Sequence, residues 1–170
     1  MFTMAEAGWV CNGSYNSAYM ESQYYNVDIA WSKDRKGMMC SPEIKNSELA
    51  SNGCIEVATP PEFPKGIPGI WSPEHLFTAS VSSCLMTTFL AIAENSRLEF
   101  VSFQCGSKGR LEQVDGKFMM TEVVLEPLVI VPAEKDVERA LKVLQKAEVN
   151  CLISNSVKAT IVMKPTVKVG

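Results

Sequence analysis

The sequence predicts an α+β fold in which antiparallel sheets wrap around one long buried central helix. Two observations carry that expectation. Leu76 to Ala93 contains no charged residue, and strand-like alternation stands on both sides of it. The order of strands, buried helix, strands, second helix and final strand also lacks the βαβ alternation of a doubly wound sheet.

Composition sets the outer bounds. With 170 residues, 46% hydrophobic and 21% charged, residues 23–170 are expected to form a single domain, and residues 1–22, polar and weakly periodic, an N-terminal extension. A net charge of -3 without any run of Lys or Arg excludes a nucleic-acid footprint and an acidic-membrane footprint. The start Met1-Phe2-Thr3-Met4-Ala5-Glu6 lacks a basic leader followed by an apolar core, so the expected location is cytoplasmic. Disulfide stapling is then not the default use of the cysteines.

The chain begins with an alternating run, Tyr25, Val27, Ile29 and Trp31, which predicts a strand over Tyr24 to Trp31 with one buried face. The turn Ser32 to Gly37 returns it along Met38 to Ser41, and Cys54 to Thr59 is a third strand. Pro60 to Gly69, rich in proline and glycine, continues neither helix nor strand. Ser72-Pro73-Glu74 then starts a helix: a hydroxyl to cap free amides, a proline at the first helical position, and an acid at the positive end of the dipole. That helix is expected over Pro73 to Glu94. It is long enough to span a bilayer, but its many hydroxyls favour close packing against protein, so no membrane partner is expected.

Leu98 to Cys105 and Gly109 to Gln113 read as strand, followed by an Asp115-Gly116 turn and a long strand over Lys117 to Ile130. Met119 and Met120 fall on that strand as core and rim. Val137, Ala140, Leu141, Leu144 and Ala147 share one stripe of a second helix, and Lys158 to Val169 closes the domain as a strand.

Cysteines stand at 11, 40, 54, 84, 105 and 151, with no C-x-x-C pair and His75 as the single histidine. That spacing predicts neither a metal site nor a cofactor. Cys11, Cys40, Cys54 and Cys105 read as ordinary residues, Cys105 as a small hydrophobe packing beside Phe103. Cys84 lies in the middle of the uncharged helix and Cys151 just after the amphipathic one. A buried lone thiol is either packed or used, and the second thiol offers a use.

The stretch from Trp71 through Ser72-Pro73-Glu74-His75 to Ser83-Cys84-Leu85 resembles the central-helix motif of the OsmC/Ohr family of peroxide-reducing proteins. Cys151-Leu152-Ile153-Ser154 resembles its second motif, with Leu152 where members usually carry proline. The resemblance covers Tyr24 to Val169. It implies a thiol-dependent peroxidase acting on organic hydroperoxides, an intertwined homodimer with sites at the subunit interface, Cys84 as the reactive thiol and Cys151 as the resolving one. It also implies that an external dithiol returns the pair to the reduced state.

Attack on an O–O bond requires a thiolate, which an apolar helix disfavours, so a cation is needed beside Cys84. The resemblance assigns that part to Arg35 at the first hairpin tip, held by Glu74 in a two-pronged ion pair. Arg35 also reads as a solvated turn residue, Glu74 as a first-turn acid, and His75 as a first-turn surface or packing residue. Phe77, Leu85 and Phe89 are expected to line the pocket for the apolar tail. Glu74 and Cys84, ten residues apart, would lie about 15 Å apart on a straight helix. Either the helix breaks between them, or Arg35 and Glu74 reach the thiol of a second chain. A non-catalytic dimer that binds a small lipophilic ligand in the same cleft is the alternative function.

Overall fold

The computed structural model describes residues 22–44 and 53–170. Residues 1–21, and with them Cys11 and nearly all of the N-terminal extension, lie outside that set. A first sheet is formed by β1 (Asp28–Lys33), β2 (Lys36–Cys40) and β3 (Cys54–Ala58), antiparallel in the order β1-β2-β3. Next comes α1 (Pro73–Asn95), followed by β4 (Ser102–Val114), β5 (Lys117–Val131), α2 (Val137–Asn150), β6 (Thr160–Met163) and β7 (Thr166–Val169).

The start of α1 follows the chemistry of its residues. Ser72, fully buried, is the N-cap, and its Oγ accepts from the His75 backbone N–H at 3.3 Å while Pro73 opens the first turn. The β4–β5 hairpin turns at Asp115-Gly116 with φ of 49° and 78°. Asn, Asp and Gly tolerate that left-handed region better than bulky residues do.

A four-residue stripe holds the domain together. Val81, Leu85, Phe89 and Ala93 recur at helical spacing along α1 and meet the alternating Val123, Leu125, Val129 and Val131 of β5 and the Ala140, Val143, Leu144 and Ala147 face of α2. Phe89 is wedged between Phe100 and Phe103, with ring centroids at 5.3 and 5.0 Å. Leu85 and Phe89 have no solvent exposure. They are core residues of this chain, with Phe77 packed against the same cluster.

The second sheet departs from a purely antiparallel one. β4 and β5 pair antiparallel, but β6 and β7 both run parallel to β5, because α2 carries the chain back across the sheet. The segment expected as one closing strand is two. β6 ends opposite Leu125 and β7 begins opposite Leu128, with Pro165 between them and Pro127 facing the gap. Neither proline has an N–H for the ladder, so the break falls where the hydrogen bonds are missing anyway.

The first sheet differs from expectation twice. Every residue of β1 is exposed, with Ile29 at 69% and Trp31 at 76%, so the apolar face read from the alternation is uncovered in a single chain. No described helix of the same chain lies over it. Cys40 and Cys54, read as ordinary residues, are bonded as a disulfide with Cα atoms 4.1 Å apart. They are register partners at one end of the β2–β3 ladder, and that pairing, set by the hairpin registers, brings two thiols together that fourteen residues of sequence separate.

By length and composition α1 could cross a membrane, yet its buried stripe faces sheet and helix of its own domain. Truncating the residue at the centre of that stripe leaves a cavity that the surrounding aromatics cannot fill. Phe89→Ala is expected to destabilise the fold by about 3–5 kcal/mol in chemical denaturation. A loss below about 1 kcal/mol would show that the cluster is not the core.

Candidate functional site

Cys84 and Cys151 converge because α1 and α2 pack side by side. Cys84 lies on α1 one residue before the core residue Leu85, and Cys151 is the C-cap of α2. Both are reduced and buried, and the two thiols lie within hydrogen-bonding reach of one another. Burial, then contact with the Cys84 sulfur, push the Cys151 thiol above the ordinary cysteine value, while the hydroxyl and backbone N–H of Ser154 pull in the opposite direction. Cys151 is thus held protonated at neutral pH, beside a thiol with which it can form a bond. Leu152, in the position after it, is 67% exposed.

Arg35 and Glu74 take different places. Arg35 is exposed at the β1–β2 tip, where its carbonyl accepts from the Thr59 N–H at 3.1 Å. The tip is braced from both sides: Trp31 Nε1 donates to the Asp34 carbonyl at 3.0 Å, and Lys36 pairs with Glu56 at 2.7 Å. Arg35 borders a hollow of about 380 Å³ with Asp34, Lys65 and Ile67. Glu74, on the first turn of α1, borders a larger cavity of about 590 Å³ with Phe63, Trp71, His75 and Met120. Within one chain the two make no ion pair among the described residues.

Glu74 Oε2 is nonetheless buried and meets no hydrogen-bond donor. An uncompensated carboxylate oxygen out of water is costly, which makes it a ready acceptor for an incoming cation. Since α1 runs unbroken from Pro73 to Asn95, Glu74 cannot fold back onto Cys84 of its own chain. Of the two routes left by the sequence, the helix break is absent.

Phe77, Leu85 and Phe89 border neither hollow. The apolar lining comes instead from Phe63, Trp71, Leu111 and Met120, carried by the loop, the helix approach and the second hairpin. Trp71 could have been found, because it opens the helix motif; Phe63, Leu111 and Met120 carry no such mark. His75 lies at the cavity wall with its Nδ1 at 2.8 Å from Ser72 Oγ and its ring edge-on to Trp71, so it packs the cap. Cys105 is half-buried, and burial raises its thiol.

Residues 66–166, more than half of the chain, match the family of OsmC-like proteins. A Bacillus subtilis protein bearing the name uncharacterized protein YmaD is 27% identical over 104 residues, which is 58% of this chain and 69% of that protein. Among solved structures, an OsmC-like protein of unknown function from Vibrio cholerae superposes with a TM-score of 0.73 at 23% identity, covering 85% of this chain and 100% of that one. An organic hydroperoxide resistance protein from Elizabethkingia anophelis gives a TM-score of 0.64 at 23% identity, over 88% of this chain and 100% of that one.

The raised Cys151 thiol has a direct consequence for pH. Its thiolate should appear only above the usual range of about 8.5, so at pH 7 it should carry less thiolate than a free cysteine. Following the 13Cβ shift of Cys151 against pH in the reduced protein checks this. A midpoint below that range would mean that the Ser154 donors outweigh burial.

Proposed function

Because the chain belongs to the family of OsmC-like proteins, we propose that it reduces organic hydroperoxides through the Cys84–Cys151 pair. The carrying observation is that two buried, reduced thiols from two helices lie in contact. The Cys84 thiolate attacks the O–O bond, taking one oxygen as a sulfenic acid and releasing an alkoxide that is protonated to the alcohol. The Cys151 thiolate then attacks the sulfenic sulfur, forming the disulfide as hydroxide leaves and is protonated to water. An external dithiol exchanges with that disulfide, becoming a disulfide itself and restoring both thiols.

Thiolate formation at Cys84 calls for a cation, and the unpaired Glu74 oxygen supports a site for one. In this reading Arg35 and Glu74 of one copy, paired with each other, reach Cys84 of a second copy, and the homodimer covers both the open side of α1 and the bare face of β1. The dimension of α1 supports the second copy: ten residues of continuous helix separate Glu74 from Cys84. The cavity walled by Phe63, Trp71 and Met120 accepts the apolar tail.

Purified protein supplied with cumene hydroperoxide and a dithiol should consume the peroxide, and Cys84→Ser should bring the rate down to that of the uncatalysed mixture. Cys151→Ser should still reduce the first equivalent but then accumulate sulfinic acid at Cys84. Arg35→Ala should slow turnover by about ten-fold or more, equal to about 1.4 kcal/mol of transition-state stabilisation. Equal peroxide consumption by wild type and Cys84→Ser would overturn the proposal and leave ligand binding in the cleft as the function.

Light scattering at micromolar concentration should give twice the chain mass. A folded monomer would rule out a site shared between two copies.

A further inference from the structure

Met120 reaches the larger cavity because β5 breaks step. Val123 and Leu125, fully buried in the core beneath α1, share one face of the strand, and strict alternation would put Met119 and Thr121 on that face as well. The ladder shifts instead. Arg110 pairs with Glu122 and Leu111 with Met120, so Thr121 has no partner on β4. That extra residue is a β-bulge, and beyond it the parity of the strand is reversed. Met120 now lines the cavity, and the Phe118 ring meets that of Phe63, another cavity residue, edge-on at 5.4 Å. Polar contacts hold the bulge: Thr121 Oγ1 lies 3.4 Å from the Arg110 carbonyl and against the Glu112 carboxylate, and the Arg110 guanidinium stands 3.5 Å from both Glu112 and Glu122.

Gly109, just before the register shift on β4, borders the same cavity. Its backbone stays outside the left-handed region, so no turn demands a glycine there. Space demands it. A Cβ built on Gly109 would overlap the Thr78 hydroxyl and come within 2.5 Å of the Met120 terminal methyl, whereas one built on Gly106 of the same strand would meet only Glu126, at 3.9 Å. The Thr78 hydroxyl is committed, because it donates to the Glu74 carbonyl at 2.9 Å. Met120 is the partner that yields, since an unbranched thioether repacks at little cost.

We propose that Met120, seated over Gly109, sets the size of organic group the cavity accepts, its methyl swinging aside for a branched or aryl group. The role rests on the peroxidase reading, but the seating of the side chain does not. One methylene in an apolar pocket changes discrimination by about 10–200-fold, so a wall that shifts by a methyl group is enough to sort hydroperoxides by bulk.

The test uses the reduced full chain with a dithiol and either cumene hydroperoxide or tert-butyl hydroperoxide. Met120→Ala removes the wall, and the ratio of kcat/KM for the aryl over the alkyl substrate should rise about ten-fold, carried mainly by KM. Gly109→Ala drives the methyl into the cavity and should lower that ratio by a similar factor. Because it also crowds Thr78, Met120→Ala is the deciding variant, and a ratio within about two-fold of wild type there overturns the proposal. A binding experiment separates this from the peroxidase reading. With methyl-13C methionine, the Met120 resonance, identified by its absence in the volume-conserving Met120→Leu, should shift saturably as 2-phenyl-2-propanol, the alcohol product of cumene hydroperoxide, is added. An unmoved resonance also overturns the proposal. If the wild type consumes no peroxide while that resonance shifts, the peroxidase reading and the sorting of hydroperoxides fall together, and Met120 stands as the wall of a cavity that binds the alcohol.

Discussion

Burial of the Val81–Leu85–Phe89–Ala93 stripe is the interaction on which the rest of the structure depends. Each large apolar side chain removed from water there contributes about 1.5–3 kcal/mol, and no other part of α1 offers comparable anchorage. Once that stripe is seated on β5 and α2, the rotation of the helix is decided. Cys84 is adjacent in sequence to Leu85 and falls at the α1–α2 seam, where the end of α2 delivers Cys151. The thiol pair is therefore a consequence of core packing, since no loop has to close to bring the two sulfurs together.

The same seating leaves much of an uncharged helix open. Met86 and Leu90 are 38% and 40% exposed, and Ser83 and Thr87 lie on the same open side with their hydroxyls returned to the helix carbonyls. Internally satisfied hydroxyls make that surface less polar than its composition implies. The bare strand β1 is a second unsatisfied surface in one chain. Two such faces in a domain of this size exceed the scattered apolar exposure normal for a monomer, which is why the proposed homodimer and the proposed composite site arise from one physical cause.

Charge follows a parallel logic. The thiols lie where water does not help an ion, and the described groups nearest Cys151 are another thiol, a hydroxyl and an amide. Such an environment holds the Cys151 thiol neutral until a donor or a cation arrives. Glu74 is the complementary case, a carboxylate with one oxygen buried and no donor. An arginine between Glu74 of one copy and the thiols of another would relieve both.

Much of the fold was legible along the chain because its signals are local. The Ser72 cap, the proline at the helix start, the Asp115-Gly116 turn and the alternation of β5 each follow from the conformational preferences of a few neighbouring residues, and the structure places each where those preferences put it. The residues around Cys84 and Cys151 likewise carried the family resemblance, which the match over residues 66–166 bears out. What sequence alone did not determine is whatever depends on how separate elements meet. The parallel pairing of β6 and β7 depends on where α2 docks, and the Cys40–Cys54 bond on the register of two strands joined by a long connection. Leu85 and Phe89 could be recognised as apolar, but whether they face a cavity or the core is set by helix rotation, which periodicity cannot supply for a helix apolar on nearly every side.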